Sequence, residues 1–72
     1  MEITFSVEPC AATGGFVARW DDPAGGGITT QGDTLAELQN MISDAVGGYF
    51  DEGKAPARVR LHFVHDPVFA VA

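Results

Sequence analysis

The chain has 72 residues, 46% of them hydrophobic, and its ten carboxylates against four lysines or arginines give a formal net charge of −6. A chain of this length forms one small domain with a limited core. The charge excludes an independent nucleic-acid-binding protein, which needs cations to neutralise phosphates, and it favours a basic protein partner.

Cysteine content and hydropathy bear on the compartment. Cys10 is the single cysteine, so the chain can form no internal disulfide, and we expect a cytoplasmic protein. The N-terminal residues include acidic side chains and do not have the pattern of a secretory signal. No window approaches the roughly 20 apolar residues that cross a bilayer, so we expect no membrane association.

The first half of the chain carries the pattern of three strands. Apolar and polar residues alternate over 2–8, the two-residue period of a strand with one buried face. Residues 9–15 predict a turn, and the alternation resumes over 16–20, which predicts a hairpin. A glycine-rich loop at 21–27 then leads to a short third strand at 28–31.

A helix and a fourth strand follow. Thr34 and Glu37 have the spacing of a capping box, with Asp33 as an alternative cap, and the helical period predicts a helix to about residue 50. Alternation over 58–64 predicts the fourth strand. The helix residues expected to pack on the sheet are Leu35, Leu38, Met41, Ile42, Ala45 and Tyr49.

The element order β-β-β-α-β predicts an α+β fold with a four-stranded mixed sheet and one helix packed on one face. A right-handed helical crossover would place the fourth strand parallel to the first, which gives the spatial order 3-2-1-4. Glu2 and Glu8 would then share the outer face with Arg58 and Arg60, so that the charges complement each other. The side chains expected beneath the helix are Ile3, Phe5, Val7, Phe16, Ala18, Trp20, Val59, Leu61 and Phe63.

The predicted domain spans residues 1–66, and residues 67–72 form an apolar C-terminal tail. One helix covers only one face of the sheet, so apolar residues elsewhere need another cover, and such patches mark association surfaces. We therefore expect a homo-oligomer, either a dimer or a tetramer. Its expected interface residues are Val17, Val64, Val68, Phe69 and Val71.

Two segments resemble a known family. Residues 14–19 (GGFVAR) and 30–38 (TQGDTLAEL) are similar to motifs of the HicB-like antitoxin family, whose N-terminal domain is a partial RNase H-like β-β-β-α-β unit. The resemblance covers residues 1–65, although the loop at 21–27 departs from the family's Pro-x-Leu-Pro-Gly pattern. It implies a non-enzymatic, antitoxin-like partner of a small basic toxin-like protein. The chain looks like a compact stand-alone branch without a DNA-binding domain, so we expect no direct contact with nucleic acid.

The alternative hypothesis is a minimal metal-dependent nuclease, because two-metal phosphodiester cleavage uses clustered carboxylates. Its only candidates are Glu8, Asp21 and Asp22, and the two adjacent aspartates should point in different directions. His62 and His65 would face opposite sides of a strand, which prevents them from binding one ion together. Some members of the resembled branch carry a 2-oxoisovalerate dehydrogenase label, but 72 residues cannot build a thiamine diphosphate site. We therefore expect no catalytic residue, metal or cofactor.

Overall fold

The structure is a computed structural model that describes residues 2–66 and Val71. Within that part of the chain, the strands and the helix follow one another in the predicted order. The elements are β1 (Glu2–Pro9), β2 (Phe16–Asp21), β3 (Gly27–Gly32), α1 (Leu35–Tyr49) and β4 (Arg58–Phe63).

The four strands form one mixed sheet in the order β3-β2-β1-β4, which confirms the predicted α+β fold. β1 pairs antiparallel with β2 and parallel with β4, while β2 pairs antiparallel with β3. The helix is the crossover that returns the chain from one edge of the sheet to the other. Among the described residues, β3 and β4 are therefore the edge strands of the sheet.

The third strand is longer than predicted by one residue at each end. Gly27 pairs with Asp21 and Gly32 pairs with Phe16, so both glycines belong to the ladder with β2. Glycine has no side chain to take part in a pattern of apolar and polar residues, and alternation therefore does not show where a strand bounded by glycines ends.

The helix begins and ends close to the predicted positions. The Thr34 hydroxyl accepts a hydrogen bond from the Glu37 amide at 3.0 Å, which confirms Thr34 as the N-cap. The helix continues through its Gly-Gly pair to Tyr49, and Phe50 is extended with φ −94° and ψ 147°. Tertiary packing thus maintains the last turn despite the low helix propensity of glycine.

The buried side of α1 is a strip with four-residue spacing: Leu38, Ile42 and Val46. The prediction missed Val46. Leu35 and Met41, which are 39% and 41% exposed, do not belong to this strip, and Tyr49 packs against Trp20 of β2 as predicted but stays 38% exposed. Leu35 and Tyr49 have the right direction but lie in the first and last turns, where less of the sheet lies beneath them. Met41 is about 100° around the helix from the centre of the strip.

The core lies between the helix and the inner face of the sheet. All nine strand residues predicted beneath the helix belong to the buried cluster or pack against it. Ile28 of β3 joins the cluster as well. The fully buried side chains of largest volume are Phe5, Leu38 and Val7.

The helix approaches the sheet closely at Gly32. A Cβ added to Gly32 would lie 2.6 Å from the Leu38 backbone nitrogen and 2.8 Å from the Leu38 Cα. This approach brings the helix backbone closer to β3 than to β2. The inner side chains of β1 are buried, whereas those of β4 pack against the core but stay half-buried.

Candidate interaction surfaces

An apolar groove runs between the helix and β4. It has a volume of about 240 Å³ and is lined by Gln39, Ile42, Ser43, Val59 and Leu61. The two β4 side chains in this set are only half-buried. The groove is the part of the inner face that one helix leaves uncovered.

The outer face of the sheet is balanced in charge. Strand alternation places equal numbers of cations and carboxylates there: Arg19, Arg58, Arg60, Glu2, Glu8 and Asp21. Arg60 Nε donates to Glu2 Oε2 at 3.0 Å, in agreement with the predicted pairing of charges. The side chains are 67% and 34% exposed, so the pair contributes at most about 1 kcal/mol to stability.

The formal charge of −6 therefore lies elsewhere on the chain. Of the ten carboxylates and four cations, three of each occupy the outer face, which leaves seven carboxylates against Lys54 alone. The helix contains no lysine or arginine, and its carboxylates Glu37 and Asp44 are exposed. One side of the molecule is thus neutral, whereas the helix presents only negative charge.

Tyr49 links the end of the helix to the loop between β2 and β3. Its hydroxyl donates to Asp22 Oδ2 at 2.8 Å and lies 3.4 Å from the Gly25 carbonyl oxygen. The other carboxylate oxygen of Asp22 accepts from the Ala24 amide at 2.9 Å. The Ala24 amide, and after it the Tyr49 hydroxyl, hold the pKa of Asp22 below its usual range. The same bond to the carboxylate is the main cause that raises the pKa of Tyr49.

An aromatic cluster lies beside this link. The Trp20 ring centroid is 5.6 Å from those of both Tyr49 and Phe50, and 6.4 Å from that of Phe5. The rings of Trp20 and Tyr49 meet edge to face, at an interplanar angle of 87°. Trp20 therefore packs against the core, as the sequence favoured, and closes this end of the sheet.

Tyr49→Phe should reduce the pH dependence of stability at both ends of the range. The depressed pKa of Asp22 adds stability at neutral pH that is lost as the pH falls through its folded-state value. The raised pKa of Tyr49 adds stability below the usual phenol pKa that is lost as the pH rises through its folded-state value. We expect a slight loss of stability at neutral pH. The melting temperature, measured by circular dichroism across a pH series, should also change less steeply at acidic and at alkaline pH. A pH dependence as steep as that of the unchanged protein would contradict this assignment. Asp22→Asn should remove the acid side and also reduce the alkaline side, because the Asp22 carboxylate is the main cause of the raised Tyr49 pKa.

The structure describes three of the five predicted interface residues. Val17 is half-buried, while Val64 and Val71 are 44% and 87% exposed. Alternation places Val17 and Val64 on the outer face of the sheet. Val68 and Phe69 lie outside the described residues. The interface itself stays a prediction.

The carboxylates considered for a nuclease lie apart. Glu8 pairs with Val17, and Asp21 lies four residues further along β2, which corresponds to about 13 Å. Asp22 is engaged by Tyr49 in the neighbouring loop. Within the described ranges, no three His, Cys, Asp or Glu side chains form a group that could hold a metal ion.

Two features near the surface were not visible in the sequence pattern. The Thr13 hydroxyl, followed by the backbone of Thr13 and Ala12, lowers the pKa of the Cys10 thiol. The Tyr49 link joins residues that are 27 positions apart, a separation that no local spacing indicates.

The described part of the chain contains no helix with the length and hydropathy required to span a bilayer.

Within the described residues, these features define a small α+β domain with an acidic helix and an edge strand beside an apolar groove. The chain belongs to the UPF0150 family. It is similar to a UPF0150 protein of Thermotoga maritima, with 47% identity over 58 residues, covering 81% of this chain and 77% of that protein. No family model matches the chain. No solved structure matches it.

Proposed function

We propose that this chain is a non-enzymatic interaction module, a HicB-like and antitoxin-like domain that binds a small basic protein and associates with copies of itself. The observation that carries this proposal is the separation of charge between a neutral outer sheet face and an acidic remainder. A negative surface increases the rate at which a basic partner associates and disfavours acidic competitors.

One flank of the helix supplies a candidate contact for such a partner. Glu37, Met41 and Asp44 are spaced by four and three residues, so they project from the same side of α1, and all three are exposed. Methionine adapts its shape to varied surfaces, while the two carboxylates can pair with lysine or arginine. This flank therefore combines an apolar contact with the charge that a basic protein requires.

The segments that resemble the HicB-like family have structural roles in this fold. A Cβ at Gly15 would lie 2.5 Å from the Gly32 carbonyl oxygen, and a Cβ at Gly32 would meet the Leu38 backbone. Thr34 caps the helix. The resemblance thus supports the HicB-like part of the proposal, because its motifs stabilise this fold. The charge supports the other part, which is that the partner is a basic protein.

The proposal is tested by capture and by growth. The chain is co-expressed with the small basic protein encoded beside it, where one exists, and we expect a retained complex and relief of the growth defect that this protein causes. Absence of both the complex and the rescue would refute the antitoxin-like function.

Asp44→Lys and Glu8→Lys form a matched pair for locating the contact. Each changes the charge by the same amount at an exposed carboxylate, one on the helix and the other on the outer sheet face. We expect Asp44→Lys to weaken the complex several-fold and to slow association, as measured by surface plasmon resonance, while Glu8→Lys has a smaller effect. A larger effect of Glu8→Lys would assign the contact to the sheet.

A further inference from the structure

The outer side of β4 carries backbone groups directed away from the sheet. The Val64 amide donates to the Val7 carbonyl oxygen at 2.9 Å, so even-numbered residues of this segment direct their backbone groups towards β1. Consecutive residues of a strand alternate in this respect. The N–H and C=O groups of Val59, Leu61 and Phe63 therefore point to the free side, where none of the described segments pairs with them.

The two edges of the sheet differ in protection. The helix covers the inner side of β3, where Ile28 is buried and Gly32 lies against the helix backbone, so an added strand there would gain little apolar cover. β4 lacks this cover, and its inner side chains, which line or adjoin the groove, are half-buried. An added strand at β4 would satisfy the free backbone groups and extend the apolar inner face.

We propose that a second copy of this chain pairs antiparallel with β4 about a two-fold axis at Leu61, so that the sheets of both copies become continuous. A two-fold interface brings the same segment of each copy together, and antiparallel pairing about such an axis keeps the two helices on the same side. This inference rests on the self-association in the proposed function and assigns that self-association to β4.

The distribution of charge along β4 selects the register. Opposed residues must lie on the same face, so the two longest pairings within the strand join residues 58–62 or residues 59–63 of both copies. The first pairing opposes Arg60 to Arg60 of the second copy. The second opposes Leu61 to itself and Arg60 to His62, which avoids the direct contact of like charges. The Glu2 carboxylate already pairs with Arg60 and reduces the remaining repulsion across the axis.

The same register matches the apolar residues. Val59 lies opposite Phe63 of the second copy on the groove side, so each half-buried side chain gains a neighbour there. Val64, which is 44% exposed, falls opposite Arg58 and can contact its aliphatic stem. One of the predicted interface residues thus lies at the boundary between the two copies.

Opposite charges at residue 62 test the register in the full chain. We expect His62→Glu to strengthen the dimer and His62→Arg to weaken it, by about two- to thirtyfold in Kd because the axis repeats the contact with Arg60. Sedimentation velocity over a concentration series measures both values. Gln31→Glu and Gln31→Arg place the same charges on the exposed face of β3 and should leave Kd unchanged.

Two results would overturn the proposal: a monomer at every concentration, or a dimer that responds to residue 31 and not to residue 62. The His62 variants leave Asp44 and the helix unchanged. The affinity of these variants for a basic protein can therefore be measured independently of their dimerisation. Failure of the edge pairing is thereby distinguished from failure of the proposed function.

Disulfide trapping tests the axis directly. In a Cys10→Ser background, Leu61→Cys places two thiols opposite each other across the axis, and mild oxidation should yield a covalent dimer. Val59→Cys is the matched control, because Val59 lies opposite Phe63 and its own counterpart is about 13 Å away. Equal trapping at both positions, or none at residue 61, would contradict the register.

Discussion

Leu38→Ala is expected to lower the free energy of unfolding by about 2–5 kcal/mol. Leu38 is fully buried, and its backbone is held against Gly32, so the surroundings can collapse only partly into the space that the truncation leaves. A chain of 72 residues has roughly 4–11 kcal/mol of stability in total. Chemical denaturation should therefore show a large fall in the midpoint denaturant concentration. If the unchanged protein has a stability at the low end of this range, part of the variant population is unfolded even without denaturant.

Leu35→Ala is the matched control for this prediction. It makes the same substitution one turn earlier in the same helix, at a side chain that is 39% exposed. We expect a loss below about 1 kcal/mol, because the side chain buries less area and alanine has the higher helix propensity. Similar losses at the two leucines would show that the buried strip of the helix has been assigned incorrectly.

Gly32→Ala should destabilise the protein by about 1–3 kcal/mol or more, even though it adds only one methyl group. The added Cβ would meet the nitrogen and Cα of Leu38, and backbone atoms of a helix cannot rotate away as a side chain can. The helix would have to move off the sheet, which loosens every contact of the buried strip. Thermal unfolding and amide chemical shifts along α1 would report both effects.

Gly48→Ala makes the same chemical change where the space is open. A Cβ at Gly48 would have no neighbour within 4 Å, and glycine within a helix is less favourable than alanine by about 0.5–1 kcal/mol. We therefore expect this variant to be more stable than the unchanged protein. If both glycine substitutions changed stability in the same direction, close packing at Gly32 would not explain its role.

The strand order was predictable from the sequence because it depends on few physical rules. Alternation identified the strands, and a helix between β3 and β4 required a crossover that placed β4 parallel beside β1. The inner face followed from the same alternation, which assigns every second residue to the core. Thr34 was identified as a cap because its hydroxyl acts on a residue only three positions away.

The sequence could not predict where the sheet ends beneath the helix. Periodicity gives the direction of a side chain but not the extent of the surface opposite it, so it could not show that Leu35 and Tyr49 would stay 39% and 38% exposed. The groove beside β4 has the same origin, since it depends on where Gly32 seats the helix. The bond between Tyr49 and Asp22 joins distant segments, and only the folded chain brings them together.

The stacked corner formed by Gly15, Gly32 and Leu38 bears on how the sequence can diverge among relatives. A methyl group at Gly15 would strike the backbone of Gly32 and Asp33, and a methyl group at Gly32 would strike the helix backbone at Leu38. A substitution at either position would therefore require the neighbouring backbone to move. Gly47 and Gly48 face open space, so substitutions there should be tolerated among relatives. Purifying selection should consequently be strongest at this corner, independently of the partner that each descendant protein recognises.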